Sequence, residues 1–316
     1  MINYPPRGLI ANLVTPLDER GRPDRMTLAR LIQRLTPWVT GFLVGSIRAG
    51  EGLDLDFSGR LDLLAAAVMT CGEKSPLLFE ITNLTLDDTA KLLERADVLL
   101  KDIKSSSTVF YFLTPLAYHG NRDLPQHLRA LGQISRRPFV ISNNPALAGK
   151  LRRRLRHKNI RTLVVKKLSD NEQIVGLEFD GDLTRALNYQ RALKLRPGFR
   201  FYDGQESYFL ERPSSSGLIS CGTNLVPQAW ANIVASSLNV IDSKQLHSDH
   251  LGRIWQSGQA VRSLFTLYQS NPPAFLKAAL KMMGLIPRSD VAAAGGGLSR
   301  DQYRRLELRL NKVHLI

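Results

Sequence analysis

The stretch "LVVKKLSDNEQI", Leu163 to Ile174, decides how the chain is read. Its apolar, β-branched start has strand character, and two lysines follow at once, where an unpaired charge in a core would be costly. Taken as a strand, "TLVVKK" (from Thr162) is the sixth of a regular series. In that reading alternation puts Val164 and Lys166 on one face and Val165 and Lys167 on the other, without saying which face is inward.

Strand-like runs begin at Gly8 ("GLIANLVTPL"), Gly41 ("GFLVGS"), Pro76 ("PLLFEIT"), Thr108 ("TVFYFLTP") and Pro138 ("PFVISNNP") before Thr162, then at Gly198 ("GFRFYDG") and Ser216 ("SGLISCG"). Between them lie segments with helical spacing of apolar residues, such as "DRMTLARLIQRLTPWV" (from Asp24) and "TLDDTAKLLERADVLL" (from Thr85), where Thr85 and Asp88 form an N-cap pair. Near-continuous apolar strands alternating with helices point to parallel strands covered by helices. Eight such units predict a (β/α)8 TIM barrel over residues 1–237. No G-x-G-x-x-G follows the first strand, which disfavours a dinucleotide-binding sheet. Residues 238–316 read as purely helical, a C-terminal extension packed on the barrel, with "AAAGGG" (Ala292 to Gly297) as a joint carrying no chemical signal.

The chain has 316 residues, 43% hydrophobic and 22% charged, a globular balance. No run has the length of a membrane span, and "MINYPPRGLI" lacks the pattern of a signal peptide, so a cytoplasmic protein without membrane contact is expected. Cys71 and Cys221 have neither ligand-like spacing nor a disulfide framework. The net charge of +15 is densest at "KLRRRLRHK", Lys150 to Lys158, whose Leu151 and Leu155 would share one helix face and leave the basic groups to solvent. No aromatic residue interleaves them as a base-stacking platform would require, so no nucleic-acid partner is expected. The six histidines form no ligand cluster, and no metal is expected.

In a barrel of this kind the active site lies at the C-terminal strand ends. Those ends offer Thr15, Gly45, Ser46, Glu80, Thr82, Thr114, Tyr118, Ser142, Asn143, Lys166, Lys167, Asp203, Thr223 and Asn224. A desolvated lysine there could attack a ketone and form a Schiff base, whose iminium draws electrons from an adjacent C–C bond. Both lysines could instead cap the strand and reach water.

Five segments in order carry a family resemblance. "GLIANLVTPLDERGRPD", "VGSIRAGEG", "SNNPALAG", "SGLISCGTNLVP" and the tail "FLKAALKMMGLIP…LSRDQYRRLELRL" resemble the dihydrodipicolinate synthase/N-acetylneuraminate lyase family of Schiff-base-forming barrels. The resemblance implies that Lys166, matching the K of a [GV]-[IV]-K-[DQ] strand end through "VVKKLSD", is the inward nucleophile. It implies a lyase or aldolase acting on pyruvate or a related 2-keto acid and a sugar-acid-like or aldehyde partner. It also implies no separate cofactor and a homo-tetramer or homo-dimer. The family's proton-shuttling tyrosine in Y-N-x-P is Ser142 here, so Ser142 and the loop tyrosine Tyr118 are candidate catalytic groups, with Tyr111 a packed strand aromatic or a further replacement. Ser46, Arg48, Glu80, Asn143, Asp203, Gly204 and Ile219 are the expected substrate-binding residues. Arg48 could pair with a carboxylate, and Glu80 could pair with a lysine or act as acid or base. Leu147 replaces the arginine that lysine-pathway synthases carry there, and "PALAG" resembles the neuraminate-lyase branch. The missing tyrosine leaves a second expectation open: a catalytically impaired barrel that binds a keto acid or serves as a regulatory partner.

Overall fold

The computed structural model describes residues 4–104, 106–116, 123–151, 158–193, 196–238 and 248–316. Eight parallel strands close in sequence order into a barrel: β1 (Gly8–Asn12), β2 (Gly41–Val44), β3 (Leu77–Glu80), β4 (Val109–Leu113), β5 (Phe139–Asn143), β6 (Ile174–Phe179), β7 (Arg200–Asp203) and β8 (Gly217–Ser220). The layer around them begins with α1 (Arg25–Leu35), α2 (Phe57–Cys71), α3 (Leu86–Asp102) and α4 (Leu124–Ile134). It continues with α5 (Pro145–Leu151), α6 (Thr162–Ser169), α7 (Leu183–Leu193), the short α8 (Glu206–Glu211) and α9 (Pro227–Ser237). The (β/α)8 expectation therefore holds. Thr85 caps α3, accepting from the Asp88 N–H at 3.1 Å.

The sixth strand is not where the sequence suggested. "TLVVKKLS" is helix α6, and β6 lies ten residues further on as "IVGLEF". Buried Val164, Val165 and Leu168 share the inner face of α6, whereas Lys166 and Lys167 are exposed. A helix places i, i+1 and i+4 together, which accounts for the apolar run as well as a strand does.

Side-chain alternation divides the strands between two cores. Ile10, Leu43, Leu78, Phe110, Phe112, Val140, Val175, Tyr202 and Ile219, drawn from all eight strands, meet in one cluster inside the barrel. Their neighbours, among them Ala11, Phe42, Phe79, Tyr111, Ile141, Leu177, Phe179 and Phe201, face outward and pack under the helices. The β5–β6 register shifts beside Phe139 and Val140, where an extra residue of β6 stands against β5. Beyond this bulge Leu177 and Phe179 point outward, so Glu178 points into the lumen.

Three further helices, α10 (Ser248–Tyr268), α11 (Pro272–Met282) and α12 (Arg300–Lys312), follow the barrel. Leu264, Tyr268, Leu276, Leu280, Leu306 and Leu310 from these helices form one apolar cluster with Val14, Leu31, Ala49 and Leu225 of the barrel. The basic run at 152–157 lies outside the described residues. None of the helices described is long and apolar enough to cross a membrane.

Candidate functional site

Above the apolar filling of the lumen the strands end in a polar layer. Following the alternation upward, Asn12, Glu80, Ser142, Glu178 and Gly204 project inward, whereas Asn143 and Asp203 point to the helices. The inward set lies under a cavity of about 670 Å³ between the strand ends and the C-terminal helices. Its wall includes Arg48, Asn144, Asp180, Gln205, Glu206, Ile219, Cys221 and Tyr268.

The centre of the polar layer is Glu178. Its Oε2 accepts from the Ser142 hydroxyl at 2.6 Å, and its Oε1 meets Arg48 Nη2 at 2.5 Å. Arg48 Nη1 donates to the carbonyl of Gly204. A Cβ built at Gly204 would stand 2.8 Å from the Glu178 carboxyl carbon, so the missing side chain leaves room for the glutamate. Burial works against the Arg48 charge, but Glu178, with Asp180 and Glu206 adding to it, raises its pKa overall. Burial also raises Asp180, Arg48 opposing and Glu178 reinforcing the shift. The Asp180 carboxylate accepts no hydrogen bond among the described residues.

Glu80 forms a second, closed network. It accepts from the Thr82 and Thr114 hydroxyls, each at 2.8 Å, and from the Ile47 N–H at 3.0 Å. Arg60, fully buried on α2, donates to the Glu80 carbonyl at 2.5 Å and the Thr82 carbonyl at 3.0 Å, fixing the end of β3. Burial raises the Glu80 pKa against these hydrogen bonds and the nearby Arg60 charge. Neither Lys166 nor Lys167 is a partner of Glu80.

On the opposite wall Glu206 accepts from Ser220 Oγ at 2.6 Å, from the Gly222 N–H at 2.7 Å and from the Tyr268 hydroxyl. Burial, reinforced by Glu206, raises Tyr268 well above the usual phenol range. Burial pushes the Cys221 thiol up to about 12, leaving it protonated at neutral pH and a poor nucleophile.

The expected site residues are distributed as follows. Ser142, Arg48, Gly204 and Ile219 come together at the lumen. Ser46 is buried behind them, donating to Asn12 Oδ1 at 2.5 Å and accepting from the N–H groups of Ala49 and Gly50, which folds its own loop. Asn143 clamps the helix layer, donating to Asn159 Oδ1 at 3.1 Å and accepting from the Ile160 N–H at 2.8 Å. Asp203 accepts from the Ser214 N–H at 2.7 Å, also outside the lumen. Tyr111 faces Asp97 rather than the lumen. Tyr118 lies outside the described residues.

Lys166 requires a correction: it belongs to the exposed face of α6, in the outer layer, and not to a strand end. On β6 the sequence Gly176-Leu177-Glu178-Phe179 turns Glu178 into the lumen at the strand end. Among the described residues Lys150, exposed at the rim, is the only lysine on the cavity wall. Lys277 is buried on α11 but held in an ion pair with Glu51. No group of three His, Cys, Asp or Glu side chains among the described residues is arranged to hold a metal ion.

Sequence reasoning missed Glu178, Asp180 and Tyr268 as residues of the site, whereas Glu206 was legible with Asp203 and Gly204 in "FYDGQES" at the seventh strand end. The signal for Glu178 was a lone glutamate in a six-residue apolar run. The "AAAGGG" segment, read as chemically silent, supplies Ala293 and Gly296 to the cavity wall.

The fold has many counterparts. The monomeric variant of dihydrodipicolinate synthase superposes with a TM-score of 0.81 at 18% identity, covering 98% of this chain and 97% of that one. A prophage protein of the same family from E. coli K12, solved in complex with pyruvate, gives 0.78 at 19% identity, covering 98% of this chain and 99% of its own. Among curated sequences, the 4-hydroxy-tetrahydrodipicolinate synthase of Persephonella marina is 25% identical over 286 residues, 89% of each chain. That of Xylella fastidiosa is 25% identical over 230 residues, 72% of this chain and 71% of the other. The model of the dihydrodipicolinate synthetase family matches residues 5–312, and to that family the chain belongs.

Proposed function

We propose that this protein binds a small molecule at the mouth of its barrel without forming a Schiff base, which keeps the impaired chemistry of the second reading its sequence left open but not that reading's keto-acid ligand. The observation that carries the proposal is Glu178, an acceptor-only carboxylate at the inward end of the sixth strand, where the family resemblance implies a nucleophilic lysine. A glutamate has no amine to add to a ketone, and Ser142 next to it is engaged as a donor to the same carboxylate. Lys150, the one lysine on the described wall, is exposed at the rim, and the two acidic hydrogens deeper in the wall are not free. Cys221 is held as a thiol and Tyr268 is held by Glu206. The cavity itself, concave and part apolar with converging polar groups, has the character of a ligand site.

The test is borohydride reduction of the folded protein in the presence of pyruvate, read by intact mass and peptide mapping. The expected result is an unmodified chain. A reduced pyruvate adduct on any lysine, Lys150 and Lys166 included, overturns the proposal.

A further inference from the structure

Arg48 is the only arginine on the cavity wall among the described residues, and both of its terminal nitrogens are already engaged. One terminal nitrogen meets Glu178 at 2.5 Å and the other donates to the Gly204 carbonyl. The Glu178 carboxylate thus takes up, at Nη2, a donor with which a guanidinium would grip the carboxylate of a ligand. Ser142 holds its second oxygen at 2.6 Å, and the absent side chain at Gly204 makes space for it. Glu178 is 3% exposed, so the pair lies within the barrel rather than on its surface.

We propose that Glu178 is a specificity determinant, an internal carboxylate that satisfies Arg48 in place of a ligand's, so that the cavity takes neutral polar ligands and rejects carboxylates. A ligand carboxylate reaching Arg48 must displace Glu178 and leave a buried charge unpaired, which is costly. It must also approach Asp180 and Glu206, both of which line the same wall with the same sign of charge. A neutral ligand meets neither penalty. The amides of Asn144, Gln205, Gln269 and Asn271, with the hydroxyl of Ser270, supply hydrogen-bonding groups around the cavity.

This inference rests on the proposed function, because an Arg48 held by an internal carboxylate belongs to a site with a carboxylate, not a nucleophilic lysine, at that position. The experiment compares D-gluconate and sorbitol, which differ at the carboxylate end, by calorimetric titration of the full chain. Wild type is expected to bind sorbitol more tightly than gluconate. Glu178→Gln is expected to gain about tenfold or more for gluconate, the share of one charge-assisted contact. Adding Arg48→Met to Glu178→Gln should abolish that gain. Wild type binding gluconate at least as tightly as sorbitol overturns the proposal, as does wild type binding neither. So does a gain that is absent from Glu178→Gln or survives loss of Arg48. If the variants do not fold, the wild-type comparison alone decides. Neither probe has an aldehyde or ketone, so a pyruvate adduct would overturn the functional proposal without altering this result.

Discussion

Asp203 shows what a strand-end carboxylate costs when it faces the helix layer. It is 3% exposed, and burial pushes its carboxyl up to about 6, against the pull of the Ser214 hydrogen bonds. At pH below about 4, the usual aspartate range, the group is protonated in both folded and unfolded chains and has no differential effect. As pH rises toward about 6 the unfolded chain ionises first, so folding is progressively penalised, and above that the penalty is constant. Asp203→Asn keeps the carbonyl that accepts from Ser214 and removes the titration. The variant should therefore gain on wild type as pH rises from about 4 to about 7.5, by on the order of 3 kcal/mol, in denaturant unfolding. A difference that is flat with pH would remove the buried-carboxylate account. The residue types of the polar ring were legible in the sequence, but their directions were not. Direction depends on strand parity, and on β6 the parity is set by a bulge that no composition rule announces.

At the level of elements, the region from Thr162 to Phe179 separates what pattern can and cannot decide. "VVKKL" fits a strand end by its β-branched pair and fits a helix by its i, i+1, i+4 apolar face. The true strand carries Gly176 and Glu178, both poor strand formers, and so reads weakly. Those two residues are tolerated because Glu178 has partners in the lumen and Gly176 packs close to Arg200, a built Cβ standing 3.2 Å from its carbonyl oxygen. Tertiary context outweighed local propensity there. It acts again where the loop after β2 meets α11. Glu51 adopts φ of +55°, a strained value for a residue with a side chain, and is held there by the buried Lys277 and by the Ala292 N–H at 2.6 Å. Lys277 is wholly buried and also donates to the Asp290 carbonyl at 2.8 Å. Lys277→Met should lower stability by about 3–5 kcal/mol, because it strands the Glu51 carboxylate. Combining it with Glu51→Gln should recover part of that loss in equilibrium unfolding, since the double variant leaves no unpaired charge. A double variant as unstable as the sum of the single ones would show that the two side chains act independently.

For the whole molecule, seven of the eight strands and a helical tail were legible because each carries its own period. What the period cannot convey is how the tail shares its burial with the barrel. Leu306 and Leu310 of α12 join a cluster that also holds Val14 of the β1 loop and Leu31 of α1. Tyr268 of α10 reaches Glu206 beside β8, and Lys277 of α11 reaches Glu51 after β2. The tail helices therefore bury apolar surface and charge against barrel residues from both ends of the sequence, and neither part can keep those groups from water alone. This coupling predicts a single calorimetric unfolding transition whose van't Hoff and calorimetric enthalpies agree. Ending the chain before α12 should expose the partners of Leu306 and Leu310 and lower the transition temperature of the whole molecule, leaving no barrel transition at its original temperature. Two resolved transitions in the full chain, or an unshifted one after truncation, would make the helical tail an independent unit. The cavity would follow suit, because Tyr268, Asn271 and Gly296 bring the tail to the wall of the same site that Arg48 and Glu206 bring from the barrel.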